Sequence, residues 1–167
     1  IPLTGVAFSA GLMLGQYRDA GFYLFLAVGF WLALWGHHLF FKEKLQTEFA
    51  VGFVALVTSA SLWGLGGDME GMKWCIALCL GSGLGFVTSR YLLSYIRICE
   101  HCERGTAQTS YLLGWDAGLL AGYSVAFGLG TEVGQTIYTY IIGAIFVGTG
   151  MYHLFLVRPW YMRNKRK

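Results

Sequence analysis

From residue 20 to residue 41 the chain runs without a single Asp, Glu, Lys or Arg, and long apolar stretches of this kind recur along it. The hydrocarbon core of a bilayer is about 30 Å thick, which roughly 20 helical residues span at ~1.5 Å each. Runs of that kind cover residues 20–41, 49–67, 73–97, 107–130 and 136–157, with a shorter one at 1–17. Inside lipid the backbone must satisfy its own hydrogen bonds, so such runs are expected to be helices. Barrel strands would be half as long and would alternate in polarity. Only 13% of the residues are charged, far below the roughly 25% that keeps a soluble surface wet. The expected fold is therefore an all-α integral membrane protein of six transmembrane helices in a single bundle over 1–167, with a basic cytoplasmic tail at 158–167.

Charge placement gives an orientation. Lys42, Lys44, Arg97, Arg104, Arg158, Arg163, Lys165, Arg166 and Lys167 fall on one side of such a bundle, and Arg18 and Lys73 on the other. By the positive-inside rule both termini are expected in the cytoplasm, in the manner of a bacterial inner-membrane protein. The basic residues sit between apolar runs instead of gathering on one soluble face, which argues against a nucleic-acid partner. Trp160 and Tyr161 followed by the basic tail read as an interfacial anchor against anionic lipid. The first apolar run starts at residue 1, as though it continued something upstream.

Around the fifth run the chain reads Arg104-Gly105-Thr106-Ala107-Gln108-Thr109-Ser110-Tyr111, then Gly114-Trp115-Asp116-Ala117-Gly118 and Gly122. Before it come Gly81, Gly83, Gly85 and Ser89-Arg90-Tyr91-Leu92. Over residues 74–130 this resembles the major facilitator superfamily at its tenth and eleventh helices and the cytoplasmic loop between them. The resemblance implies the C-terminal six-helix half of a secondary transporter, built of two inverted three-helix repeats. It further implies alternating access against an N-terminal half or a second copy, and a small-molecule substrate. By that layout the first, second, fourth and fifth helices line the path. Candidate path residues are then Gln16, His37, Arg90, Tyr111 and Asp116, with Arg104, Gly105 and Thr106 as the cytoplasmic loop motif. The connector Lys42-Glu43-Lys44-Leu45-Gln46-Thr47 lacks the Gly-rich gating pattern the family often carries between its eighth and ninth helices, so no gate is implied there.

The residues speak for the same region without the family. Ionisable groups inside a membrane are costly, so they pair, face water or mark a pathway. Arg90 and Asp116 lie at similar expected depths on successive antiparallel helices, which predicts a direct or water-bridged pair. An Asp beside an Arg stays ionised; taking the Arg away would raise its proton affinity and couple protons to transport. Gly114, Gly118 and Gly122 recur every four residues, a bare stripe that lets another helix approach. The stripe serves either packing within the bundle or, as the resemblance implies, contact with the other half.

Other features point elsewhere. His37 and His153 at matched depth would suit a haem- or quinone-binding redox subunit. Cys99-Glu100-His101-Cys102 is one C-x-x-C pair where a structural zinc site wants two, so neither metal nor cofactor is expected. Gly81-Ser82-Gly83-Leu84-Gly85 lacks the dinucleotide-loop spacing and lies within an apolar run. Nothing resembles a hydrolytic triad or a paired-carboxylate site, so no enzyme is expected. A non-catalytic membrane scaffold is the remaining alternative.

Overall fold

In a computed structural model the chain is described at residues 2–17, 19–40, 45–66, 69–99, 103–129 and 135–164. The described residues are almost entirely helical, with no strand among them. Six long helices follow one another as α1 (Pro2–Gln16), α2 (Ala20–Phe40), α3 (Leu45–Gly66), α4 (Glu70–Ile98), α5 (Arg104–Leu129) and α6 (Gln135–Tyr152). A π-helical turn, His153–Val157, then leads without a break into α7 (Arg158–Asn164), so the basic stretch beyond residue 157 begins as helix.

Three of these segments are long and apolar enough to cross a membrane: Thr47–Gly66, Gly71–Ile98 and Thr136–Arg163. Ala20–Gly36 is equally apolar but shorter. By length and composition, then, the described residues form an all-helical protein with three candidate membrane-spanning helices. Its hydroxyl side chains conform to an apolar setting. Thr58, Ser61, Thr88, Ser94 and Thr149 each donate to the carbonyl four residues earlier. A hydroxyl satisfied by its own helix can sit in an apolar bundle without a further partner.

Helix ends are fixed locally. The Gly21 N–H donates to Asp19 Oδ1 at 3.1 Å, capping the start of α2. Across the same turn the Tyr23 hydroxyl donates to the carbonyls of Leu14 and Tyr17, both at 3.0 Å. Tyr17 stacks on Phe22 with ring centroids 4.1 Å apart. The α1–α2 corner is thereby held from both sides.

Packing is dominated by three seams: α1 along α5, α2 along α4, and α3 along α4. Helix α6 closes the bundle by touching both α1 and α3. The first two seams are parallel and built alike. A Cβ on Gly11 would lie 2.5 Å from the Leu119 carbonyl oxygen, and one on Gly122 would collide with the Phe8 carbonyl. A Cβ on Gly29 would lie 2.5 Å from the Leu78 carbonyl oxygen, and one on Gly81 would collide with the Leu26 carbonyl. One turn further on, Gly15 rests on Tyr123 and Ala126, as Gly85 rests on Phe30 and Ala33. In both seams backbone meets backbone, which only glycine permits and which dispersion forces reward in lipid.

The third seam is antiparallel. Gly52 lies against Gly83, Phe86 and Val87, and Gly83 against Leu56. Continuing that register toward the start of α3 brings residues 48 and 49 opposite residues 90 and 91.

Candidate functional site

That register decides the partner of Arg90. Its guanidinium forms an ion pair with Glu48 of α3, and both side chains are buried. The expected pairing with Asp116 is not what the structure shows, for two physical reasons. Helix α5 starts at Arg104, so Asp116 lies twelve residues in, roughly 18 Å along the axis. Arg90 lies eight residues from the end of α4, roughly 12 Å by the same rise. The depths differ, and α4 meets α5 along a limited seam. The second reason is facing. Gly118, two residues past Asp116, points at α1, and a two-residue step turns a helix by about 200°. Asp116 is carried to the opposite, exposed side.

Glu48 is the residue that reading the sequence missed. It stands next to the charged connector at 42–44, so the apolar run seemed to begin at residue 49. Helix α3 starts at Leu45 and takes Glu48 inside. The signal that could have found it is Arg90 itself, since a buried cation requires an acid at the same end of a neighbouring helix.

Beside the ion pair lies an aromatic group formed by the next residue of each helix. Phe49 and Tyr91 meet edge-on at 5.0 Å, and His153 packs on both, at 4.0 Å from Phe49 and 5.4 Å from Tyr91. His153 opens the π-helical turn, and its carbonyl accepts from the Arg158 N–H five residues on. Neither His153 Nδ1 nor the Tyr91 hydroxyl has a hydrogen-bond partner among the described residues. The side chain of His37 lies outside the described residues. Its helix packs on α4, whereas α6 packs on α1 and α3.

The remaining candidates separate cleanly. Tyr111 is buried and donates to the Thr88 carbonyl at 3.0 Å, tying α5 to α4, with Tyr95 edge-on at 6.1 Å. Gln16 is the half-buried last residue of α1, remote in sequence from any charged side chain of the core. Arg104, Gly105 and Thr106 form the exposed first turn of α5. Thr109 closes that turn by donating to the Gly105 carbonyl at 2.9 Å. Gly118 and Gly122 meet α1, and Gly114 meets Thr4 at ordinary contact distance, 3.6 Å. The stripe is therefore engaged within this chain and does not face another half. Among the described residues no group of three His, Cys, Asp or Glu could hold a metal. Residues 100–102 of the Cys99–Cys102 pair lie outside the described residues.

Asp116 is what stands out. It sits at the middle of α5, twelve residues from one end and thirteen from the other. It has no hydrogen-bond or ion-pair partner among the described residues. Its exposed neighbours one turn away are Leu112, Leu113 and Leu120, the last two each 70% exposed. Helix α5 is not among the three described segments long and apolar enough to cross a membrane by themselves; an Asp at the centre of a helix that did face lipid would cost about 2.5–3.5 kcal/mol. No family model matches the chain, and no curated protein or solved structure matches it either.

Proposed function

We propose that this chain is a six-span half of a secondary transporter of the major facilitator type, working by alternating access with Asp116 in the path. The observation that carries the proposal is the likeness of the two glycine seams. Gly11 and Gly15 of α1 hold the places of Gly81 and Gly85 of α4. Gly122, Tyr123 and Ala126 of α5 hold those of Gly29, Phe30 and Ala33 of α2. Exchanging α1–α3 for α4–α6 turns one set of contacts into the other. An odd number of helices per unit makes the two units opposite in direction when every helix crosses, which is the inverted repeat of secondary transporters. Helices α3 and α6 then sit on the outside. Helices α1, α2, α4 and α5 surround the path, and both termini lie in the cytoplasm.

Asp116 adds a second support. A carboxylate midway along a path-lining helix, exposed on an otherwise apolar face, is stable only where a water-filled cavity or a second body covers it. Alternating access supplies both: the cavity on one side of the cycle, and the apposed half or second copy on the other. Redox and scaffold functions give this carboxylate no role.

The test uses everted membrane vesicles from cells expressing the protein, energised by respiration and monitored with a ΔpH-sensitive dye. Pools of amines, sugars, amino acids and organic acids are added in turn. The expected result is a proton efflux elicited by one pool, absent with Asp116→Asn although that variant reaches the membrane in normal amount. Solute-elicited efflux that persists unchanged in Asp116→Asn would remove Asp116 from the path.

A further inference from the structure

We infer that the cargo of this path is an organic cation and that Asp116 is its counter-ion, an inference resting on the transporter proposal above. Among the described residues ahead of the C-terminal basic stretch at 158–164, Arg90 and Asp116 are the charged side chains that lie more than one turn from any helix end. Arg90 already has its counter-charge in Glu48. Of the other described cations, Lys73, Arg97, Arg104 and Arg163 lie in the first or last turn of their helices, and Arg158 opens the C-terminal basic stretch just past the π-helical turn. Among the described residues, then, the middle of the helices holds one uncompensated negative charge, Asp116, and no cation that offsets it. An anionic substrate would be repelled there, and a neutral one would leave the carboxylate uncompensated.

The surroundings say what kind of cation fits. Leu112, Leu113 and Leu120 flank the carboxylate one turn away on the exposed face. Two turns on, Tyr123 is half exposed, with an edge of its ring against Gly15 of α1. A small hydrated metal ion gains nothing from leucines and wants several oxygen ligands, of which α5 offers one carboxylate. A positively charged group on an apolar body gains from both: an ion pair with Asp116 and apolar contact with the leucines. Trp115, the next residue to Asp116 and only partly buried, lies close enough to report on occupancy.

The experiment is equilibrium binding of tetraphenylphosphonium to the purified protein in neutral-lipid nanodiscs, read by tryptophan fluorescence and corrected with empty discs. Tetraphenylborate, of the same shape and opposite charge, is the control. Saturable binding of the cation is expected, weakened at least tenfold in Asp116→Asn and kept within threefold in Asp116→Glu, with no saturable binding of the borate. Equal binding of the cation to wild type and Asp116→Asn overturns the inference, as does equal binding of both ions to wild type. Binding requires no transport, so the two proposals fail separately. Asp116-dependent proton flux without cation binding would keep the transporter and discard the cationic cargo. Cation binding without solute-driven flux would do the reverse.

Discussion

Replacing Gly81 with Ala tests the packing of the bundle with one methyl group. The new Cβ would collide with the Leu26 carbonyl oxygen and lie 2.9 Å from the Leu26 carbonyl carbon and 3.0 Å from the Phe30 nitrogen. All three are backbone atoms of α2, so no rotamer change relieves the contact; the helices must separate along the whole seam. Overpacking of this kind costs about 1–3 kcal/mol. Gly148 is helical too, with nothing within 4 Å of its Cβ position. There Ala should be favourable by up to about 1 kcal/mol, from helix propensity alone. The two substitutions are chemically identical, so the propensity gain cancels and their difference, about 1–3 kcal/mol, isolates the close approach. Reversible unfolding by SDS titration in bicelles, followed by tryptophan fluorescence, measures it. Gly122→Ala on the α5 side should behave like Gly81→Ala, because its Cβ meets the Phe8 carbonyl in the same way. A Gly81 or Gly122 variant as stable as Gly148→Ala would refute the seam and the repeat inferred from it.

Three further outcomes follow from the buried groups. Glu48→Gln should destabilise by about 3–5 kcal/mol, because it leaves a buried guanidinium without its counter-charge; Glu48→Leu combined with Arg90→Met should recover most of that loss in the same SDS titration. Tyr111→Phe should cost about 1 kcal/mol through loss of the bond to the Thr88 carbonyl, measured likewise. Tyr91→Phe should instead stabilise by about 1 kcal/mol, since its buried hydroxyl has no hydrogen-bond partner among the described residues.

The helices were legible in the sequence because long apolar runs with few charges are what helices of this length and polarity need. Their ends were less legible. Helix α3 begins within a stretch whose lysines mark it as a connector, and α5 begins on Arg104 within what the resemblance treats as loop. Those few residues decided the site. One turn more of α3 brings Glu48 to Arg90, and one turn more of α5 puts Asp116 out of reach of that arginine. The Gly114–Gly118–Gly122 stripe was visible as spacing, but spacing does not name the helix that fills it. Its partner became identifiable only when Gly11 was found opposite it, and Gly29 opposite Gly81. Asp116 was legible as a costly charge. That it stands alone was not, because the sequence offered Arg90 as a ready partner and three-dimensional register assigned that arginine elsewhere.

Six crossings are what the inverted repeat requires, whereas among the described residues three segments are long and apolar enough to cross by themselves. The direct test is the sidedness of each connector. Single cysteines placed in an otherwise cysteine-free chain at positions 18, 43, 68, 101, 132 and 165 are labelled in sealed right-side-out membranes with an impermeant maleimide. Positions 18, 68 and 132 should label from outside, and positions 43, 101 and 165 only after the membrane is opened. Labelling of 43 or 101 from outside, or protection of 18 and 132 until lysis, would mean that α1, α2 or α5 does not cross, and the transporter architecture would fall with it.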